Sequence, residues 1–370
     1  MTRVVLAPDK FKGSASAAEV ARALAAGLRA GRPDLDIVAL PVADGGEGTL
    51  DAAASAGYTL VPVTAEGPTG RPVATAFALR EDTAVVELAD VTGLRRLPGP
   101  LAPLTASTYG VGQVISAALD RGATKLVLGI GGSASTDGGA GLLQALGLGL
   151  FDAGGAELGR GGAALASLDR IDLSGLDSRP ANVLVASDVD NPLLGDLGAA
   201  VVFGPQKGAT PAEVALLDAA LARWAALTKV ATGRDVATEP GAGAAGGAGF
   251  GALAYLGARL VRGVELVLDL IGFEAAVAGA DLVIAGEGSL DAQSMRGKAP
   301  VGVAKAAARA GIPVVAVAGR VLLSQPEVAR AGFAAVYSLA DLAPDPVASM
   351  ANAEELLHEV GCQIAARHLR

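Results

Sequence analysis

The stretch RVVLAPDKFKGSASAAEVARALAAGLRA, residues 3–30, decides the fold class. Its opening apolar run, Arg3 to Ala7, predicts a strand, and Pro8 to Gly13 predicts a loop. Ser16, followed three residues later by Glu19, forms a capping box and predicts that a helix occupies the rest of the stretch. A strand, a loop and a helix in this order are typical of a parallel sheet covered by helices.

The same alternation recurs further along the chain. Strands are predicted over residues 36–41, 125–128, 182–186, 199–203, 280–285, 314–318 and 334–338. Most of them are followed by a glycine-containing loop and a helical segment, as parallel sheets require. Residues 59–88 instead show short alternating strands separated by turns, which indicates a second sheet, and residues 154–175 are loop-like.

These patterns predict an α/β protein with two domains. With 370 residues the chain is too long for one typical core. We predict a doubly wound, flavodoxin- or Rossmann-like parallel-sheet domain formed by residues 1–62 and 278–370. Residues 63–277 would form an inserted α/β domain with a mixed sheet. A ligand is then expected in the cleft between the domains, at the carboxyl ends of strands.

Composition and charge exclude several classes of protein. The formal net charge is −9 without any run of Lys or Arg, which excludes a typical nucleic-acid-binding protein. No stretch of ~20 residues is apolar enough to predict a transmembrane helix. Met1 to Lys12 carries charges where a signal peptide would have an apolar run, and Cys362 is the single cysteine. A cytoplasmic location is therefore expected.

The positions of the histidines limit the chemistry. His358 and His368 are the two histidines, and both lie in the last helical stretch, away from every glycine-rich loop. A Ser-His-Asp hydrolase or a zinc site with histidine ligands is therefore not predicted. Carboxylates, lysines, hydroxyls and backbone amides remain as the reactive groups.

Charged loops follow two of the predicted strands. Asp9-Lys10-Phe11-Lys12-Gly13-Ser14 precedes a helix, whose free amides and dipole favour an anion. Gly286-Glu287-Gly288-Ser289-Leu290-Asp291 is followed by Lys298 ahead of another helix, with a spacing that does not match a Walker loop. Acids and a lysine in one loop suit a metal-bound polyphosphate. The alternative for both loops is a solvated connection with a helix cap.

Glycine-rich loops follow other strands. Asp44-Gly45-Gly46-Glu47-Gly48-Thr49 offers two carboxylates for Mg²⁺ or a substrate hydroxyl, or else is a plain capped turn. Gly129 to Gly141 is the strongest local signal, because its amides and hydroxyls could cradle phosphates and Asp137 could bind a metal. Gly241 to Gly246 matches GxGxxG but lacks a preceding strand, so a substrate-covering loop is preferred to a dinucleotide site.

Two further segments carry candidate ligands. Ser187-Asp188-Val189-Asp190-Asn191-Pro192 places several oxygen ligands on one turn, as hard cations require, or else forms an Asx-turn. Lys207 lies in a turn rich in Gly and Pro, where a solvated side chain is the alternative to a binding role.

Taken together, these segments resemble the bacterial glycerate kinase family, of the type that makes 2-phosphoglycerate. The matching segments occur in the family order and extend over nearly the whole chain; they are residues 7–13, 43–49, 108–112, 129–141, 187–192, 203–209 and 286–298. The resemblance implies two α/β domains, ATP with Mg²⁺ as cofactor, and D-glycerate as the phosphoryl acceptor.

Residue chemistry then suggests roles in an in-line phosphoryl transfer. The predicted catalytic residues are Asp188, which would orient the attacking hydroxyl and accept its proton, and Lys10 and Lys298, which would bind phosphate or carboxylate. The predicted substrate- and phosphate-binding residues are Lys12, Asp44, Glu47, Gly131, Gly132, Ser133, Asp137 and Lys207. The predicted metal ligands are Asp190, Glu287 and Asp291.

Three alternatives stay open at this point. A kinase of another short hydroxy or sugar acid is the nearest, because only the resemblance favours glycerate and its C2 hydroxyl. A two-lobed NAD(P)-linked oxidoreductase would need a Tyr-x-x-x-Lys pair, which the sequence lacks. A non-catalytic small-molecule binding protein would have the same two lobes. The oligomeric state is also open, with a homodimer as one alternative.

Overall fold

The computed structural model describes residues 1–179 and 182–369. The strands are β1 (Arg3–Pro8), β2 (Asp36–Ala39), β3 (Thr59–Glu66), β4 (Pro72–Arg80), β5 (Thr83–Glu87), β6 (Lys125–Gly129), β7 (Gly149–Asp152), β8 (Leu168–Asp172), β9 (Asn182–Ala186), β10 (Arg259–Val261), β11 (Leu282–Leu290), β12 (Val314–Val321) and β13 (Ala335–Ser338).

The helices alternate with these strands over most of the chain. They are α1 (Ala17–Gly31), α2 (Thr49–Ser55), α3 (Leu88–Thr92), α4 (Tyr109–Asp120), α5 (Ala140–Ala145), α6 (Ala199–Phe203), α7 (Pro211–Thr232), α8 (Ala244–Leu256), α9 (Gly263–Leu270), α10 (Phe273–Val277), α11 (Ala299–Arg309), α12 (Gln325–Ala331), α13 (Pro346–Ala351) and α14 (Ala353–His368). None of them, in the described part of the chain, is long and apolar enough to cross a membrane.

The chain divides into two compact units. Unit 1 comprises Met1–Asp44, Asp51–Gly57 and the chain from Val264 onwards. Unit 2 comprises Gly45–Leu50 and Tyr58–Gly263. The division at residues 62/63 and 277/278 that the sequence suggests stays a prediction about where independently folding domains end.

Unit 1 contains a parallel five-stranded sheet with the strand order β13-β12-β11-β1-β2. Alternate residues of each strand enter different cores: Val4 and Leu6 pack in one apolar cluster, whereas Val5 and Ala7 pack in the other. Both faces are therefore buried, as the near-continuous apolar runs of these strands require. This sheet confirms the doubly wound parallel-sheet prediction.

Helices cover both faces of this sheet. α1 and α14 contribute Leu24, Leu28 and Ile364 to one cluster, and α9 and α11 contribute Val267 and Val303 to the other. The predicted capping box is present at the start of α1, where Ser16 Oγ accepts a hydrogen bond from Glu19 N and the Glu19 carboxylate accepts one from Ser16 N.

Unit 2 contains a mixed six-stranded sheet with the order β10-β9-β6-β5-β4-β3. β3, β4 and β5 pair antiparallel, and β5, β6, β9 and β10 pair parallel. Its core includes Trp224 and Phe250, whose rings meet edge to face at 6.1 Å. The predicted second sheet over residues 59–88 and the predicted mixed character are both confirmed.

Two local predictions were wrong. Residues 199–203 form a helix, α6, instead of a strand: a short apolar run fits either element, and here Ala199 and Ala200 are buried while Val201 and Val202 are exposed. Residues 154–175 are not only loop, because a 3-10 helix, Gly162–Ser167, leads into β8, which pairs antiparallel with β7.

Candidate active site

Charged side chains of unit 1 gather at the carboxyl ends of β1 and β11. Pro8 pairs with Gly286 in neighbouring parallel strands, and Asp9 N donates to Gly286 O at 2.8 Å. The carboxyl ends of parallel strands meet at one edge of a sheet, which brings Asp9 and Glu287 together there. The loop between β1 and α1 also packs on the end of β11, since a Cβ added to Gly288 would lie 3.2 Å from Lys12 N.

Each of these two carboxylates has a lysine beside it. Lys10 Nζ lies 3.5 Å from Asp9 Oδ1, and Asp9 Oδ1 also accepts a hydrogen bond from Lys10 N at 2.6 Å. Lys298 Nζ lies 3.5 Å from Glu287 Oε1. Lys298 directly precedes α11, an 11-residue helix whose amino end favours anions.

Negative charge in this group is not fully balanced by the lysines. Burial, assisted by the charges of Asp44 and Glu287 and opposed by Lys10, raises the pKa of Asp9 to about 7. The pKa of Glu287 is also raised by burial and by the charges of Asp44 and Asp291, against the effect of Ser294 and Lys298. Carboxylates that repel one another in this way attract a cation or a hydrogen-bond donor.

Two residues that follow β11, Gln293 and Ser294, donate hydrogen bonds to the acids of this segment. Ser294 Oγ donates to Glu287 Oε2 at 2.7 Å, and Asp291 Oδ1 accepts from Gln293 N at 2.8 Å. Within residues 1–179 and 182–369, no group of three or more His, Cys, Asp or Glu side chains is arranged to enclose a metal ion. Mg²⁺ does not need such a cage, because it is usually held by one or two carboxylates together with substrate phosphates. Glu287 and Asp291 fit that requirement.

In unit 2, the turn Gly45–Thr49 packs against the carboxyl ends of β6 and β9. Gly131 N donates to Gly45 O at 3.4 Å, and a Cβ added to Gly131 would lie only 2.7 Å from Gly46 Cα. Only glycine permits this approach of two backbones. The buried carboxylate of Glu87 fixes the other side of the turn by accepting from Gly48 N at 3.1 Å and from Leu50 N.

The glycine-rich loop after β6 is organised around Asp137, which is fully buried. Its carboxylate accepts hydrogen bonds from both the amide and the hydroxyl of Thr108, from Ser107 Oγ, and from the amides of Gly139 and Gly141. These bonds use the carboxylate inside the loop, so Asp137 shapes the loop. The segment 108–112, singled out in the sequence, thus supplies this carboxylate with its partner Thr108.

Lys207 lies beneath the same loop. It is 2% exposed, and its ammonium group donates to Ser135 O. Burial lowers the pKa of Lys207 to about 8, and the nearby Asp137 carboxylate opposes that shift. A Cβ added to Gly246 would lie 2.8 Å from Lys207 Nζ, so the predicted covering loop at 241–246 packs around this lysine. Its backbone is unusual, because Ala245 has φ 54°.

The part of the glycine-rich loop that precedes Asp137 is more accessible. Gly132 is exposed and Gly131 half-buried, whereas Ser133 is buried with its hydroxyl 3.1 Å from that of Ser135. Backbone amides of an exposed glycine turn are suited to bind an anion.

The turn after β9 carries the remaining predicted acids. Asp188 is exposed, and its Oδ1 accepts a hydrogen bond from Gly263 N at 2.8 Å. Asp190 is exposed as well. Because β9 pairs parallel with β6, this turn leaves the sheet at the same edge as the glycine-rich loop. The amide of Gly263 thus helps to position this exposed carboxylate.

Comparison with known proteins identifies the family. A model of the glycerate kinase family matches residues 4–369. This chain belongs to the glycerate kinase family. It is 45% identical to a glycerate kinase of Bacillus subtilis (strain 168), over 98% of this chain and 97% of that protein. It is also 45% identical to a glycerate 2-kinase of Escherichia coli (strain K12), over 91% of this chain and 90% of that protein.

A solved structure supports the same assignment at the level of the fold. The chain assigned as glycerate kinase 2 from Salmonella typhimurium LT2 is 42% identical, with a TM-score of 0.87, over 99% of this chain and 97% of that one. The family resemblance and the α/β fold class predicted from the sequence are therefore confirmed, and the protein is a kinase of this family.

Sequence reasoning overlooked two charged residues of this glycerate kinase family member. Glu87 ends β5 and holds the turn Gly45–Thr49, and Arg95 forms an ion pair with Glu47 in that turn. Both contacts join segments about 40 residues apart, so no local sequence motif predicts them. A carboxylate at the end of an apolar strand was the available signal for Glu87.

Proposed function

We propose that this protein transfers the γ-phosphoryl group of ATP to D-glycerate and releases 2-phosphoglycerate and ADP. The observation that carries the proposal is the match to the glycerate kinase family over residues 4–369, which includes a relative named glycerate 2-kinase at 45% identity. The charged and glycine-rich loops at strand ends supply the groups that phosphoryl transfer needs, namely anion-binding amides, ammonium groups and carboxylates.

Unit 1 is proposed to bind the phosphates of ATP. Lys10 and Lys298 supply positive charge, and the latter directly precedes α11. Lys12 is exposed on the same loop as Lys10 and would add to this charge. The carboxylates of Asp9 and Asp44 keep the site from being a purely basic patch, so it would attract a nucleotide together with its cation.

Mg²⁺ is proposed to accompany the nucleotide. Glu287 and Asp291 would hold it, because their oxygens are hard donors and the repulsion among Asp44, Glu287 and Asp291 is relieved by a cation. When bound, Mg²⁺ neutralises charge on the phosphates. Asp190, predicted as a further ligand from its sequence motif, stays a prediction.

Unit 2 is proposed to act on the acceptor. Asp188 would orient the attacking hydroxyl of glycerate and accept its proton, for which its exposed and backbone-held carboxylate is suited. The amide of Gly132, with Ser133, would bind an oxyanion, and Glu47 would accept from a substrate hydroxyl. Gly131, predicted as a binding residue, would instead join the loop to the turn, because its amide donates to Gly45 O. Asp137 and Lys207 are proposed to hold the loop, in place of the direct substrate contacts predicted from the sequence.

The location and assembly of the enzyme are also proposals. Dependence on ATP supports the cytoplasmic location predicted from the sequence. A homodimer stays a proposal, which light scattering of the purified protein would test directly.

The test of the function is a product analysis. Purified protein is incubated with ATP, Mg²⁺ and D-glycerate, and the product is identified by phosphorus NMR. A 2-phosphoglycerate signal that requires both ATP and glycerate is expected. A 3-phosphoglycerate signal would keep the kinase and reject the C2 assignment. Folded protein that consumes no ATP with glycerate, while turning over another short hydroxy acid, would reject the substrate.

A further inference from the structure

Arg95 is a positively charged residue to which the proposed function assigns no role. It lies in a 3-10 turn, Leu94–Arg96, that follows α3. Leu94 N donates to Gly132 O at 3.1 Å, and Gly93 forms an antiparallel bridge with Ser133. The backbone that enters this turn is therefore fixed against the accessible part of the glycine-rich loop.

The side chain of Arg95 reaches the second loop of the site. Its Nη1 forms an ion pair with Glu47 Oε1, and the two side chains are 61% and 37% exposed. Glu47 is itself held in place, because Gly46 packs on Gly131 and Gly48 is bound by the Glu87 carboxylate. One exposed guanidinium group thus lies between two loops that are proposed to contact substrate.

The next residue has different surroundings. Arg96 forms an ion pair with Asp90, and the other oxygen of Asp90 accepts a hydrogen bond from Thr75 Oγ1 at 2.6 Å. Thr75 belongs to β4, so Arg96 joins the turn to the sheet and is about half as exposed as Arg95. The chain offers a matched pair of arginines in one turn, only one of which contacts a proposed substrate loop.

We infer that Arg95 is a substrate-binding residue whose guanidinium group binds an oxyanion, with Glu47 holding the guanidinium in orientation. The inference rests on the proposed function. A guanidinium has several N–H donors in a planar fork that matches a carboxylate or a phosphate, and one carboxylate oxygen cannot use them all. The oxyanion is either the carboxylate of glycerate or a phosphate oxygen of ATP, and the two sources can be separated by kinetics.

Steady-state kinetics of Arg95→Gln, Arg95→Lys and the control Arg96→Gln test this inference. In Arg95→Gln the KM for one substrate should rise roughly 10- to 100-fold, the usual value of a charge-assisted hydrogen bond, while the KM for the other changes little. A rise for glycerate identifies the carboxylate, and a rise for ATP identifies the phosphate. Arg95→Lys should recover part of the loss, because it keeps the charge without the fork. Arg96→Gln should leave both KM values near those of the wild type.

Glu47→Gln examines the orienting role. It should raise the same KM as Arg95→Gln, and the double variant should lose less than the sum of the two, because the residues act as a unit. If the double variant shows additive losses, Glu47 and Arg95 act separately and the orienting role is rejected.

Direct calorimetric titration with D-glycerate and with ATP separates the failure of this inference from the failure of the proposed function. Wild-type protein that binds a ligand without turnover would reject the kinase, while weaker binding by Arg95→Gln would still support the role of Arg95. Equal affinities of Arg95→Gln and wild type for both ligands would overturn it. A parallel loss in Arg96→Gln would assign the effect to the structure of the turn.

Discussion

In unit 1 the carboxylates of Asp9 and Glu287 stand 3.5 Å from lysine ammonium groups, whereas in unit 2 the carboxylate of Asp137 is enclosed by amides and hydroxyls of residues 107–108 and by amides of its own loop. In the first arrangement, burial and, to a smaller extent, the charges of neighbouring acids raise the pKa values of Asp9 and Glu287. The second uses its polar groups to define a backbone shape. A sequence motif rich in acids and glycines can therefore either receive a ligand or build the loop that does so.

The largest expected effect is that of Asp188. This aspartate is an exception to the contrast between the units, because it belongs to unit 2 but its carboxylate is exposed. Asp188→Asn keeps the shape of the side chain and removes the base. We expect kcat with D-glycerate to fall by about 10²- to 10⁴-fold, the usual contribution of a general base. Measurement of initial rates at saturating ATP and glycerate checks this.

Stability provides the control for that variant. Because Asp188 is exposed, Asp188→Asn should change the free energy of unfolding by about 1 kcal/mol or less. Turnover of Asp188→Asn within a few-fold of wild type would remove Asp188 from the role of base.

The next largest expected effect is that of Asp137. Because its carboxylate builds the loop, its substitution should lower the stability of the fold. Asp137→Ala removes the acceptor of all five hydrogen bonds and leaves buried donors without a partner. We expect the free energy of unfolding to fall by about 3–5 kcal/mol, measured by urea denaturation.

A second aspartate with similar bonds serves as the matched control for Asp137. Asp152 accepts from Gly154 N and Ala156 N, but in an exposed turn. Asp152→Ala should cost about 1 kcal/mol. Equal losses in the two variants would show that burial does not decide the role of Asp137.

Much of the fold could be predicted from local signals. The capping box at Ser16 and Glu19, the strand runs and the glycine turns act over a few residues, so the sequence displays them directly. The apolar run Ala199–Phe203 was assigned to the wrong element because nothing in five residues separates a strand from a short helix. The packing of that run against the rest of unit 2 decides the outcome.

The candidate site could be predicted only in part. The charged loops of unit 1 were singled out in the sequence, and the structure places Lys10 beside Asp9 and Lys298 beside Glu287. The roles of these residues stay predictions. The buried state of Lys207 could not be predicted, because it depends on Ser135, 72 residues away, and on the backbone at Gly246. The same is true of Arg95 and Glu47, which meet through tertiary packing and have no local pattern.

The burial of Asp9 predicts a dependence of stability on pH. The folded-state pKa of Asp9, about 7, lies above the ordinary aspartate value of 3.8, so the folded state binds more protons between these values. Wild-type stability should therefore fall as the pH rises from about 4 to about 7 and level off above. Asp9→Asn does not titrate, so its stability relative to wild type should rise by about 2–4 kcal/mol across that window.

Urea midpoints of the two proteins between pH 4 and pH 8 check the effect of Asp9. Lys10→Met offers a second measurement, because loss of the ammonium group should raise the pKa of Asp9 further and move the upper end of the window above pH 7. A difference between Asp9→Asn and wild type that is independent of pH would show that Asp9 is not desolvated in solution.

The smallest expected pH effect is that of Lys207, and the change of stability with pH has the opposite sign to that for Asp9. Lys207 therefore tests whether the two units differ in how they hold a buried charge. The pKa of Lys207 in the folded state, about 8, lies below the ordinary lysine value of 10.5. Between these values the unfolded state binds more protons, so wild-type stability should gain with rising pH. The stability of Lys207→Met relative to wild type should therefore decline by about 1–3 kcal/mol between pH 8 and pH 10.5. A flat difference in urea midpoints would mean that the ammonium group keeps its charge through Ser135 O and Asp137. The loop of unit 2 would then hold an ion pair, as the loops of unit 1 do.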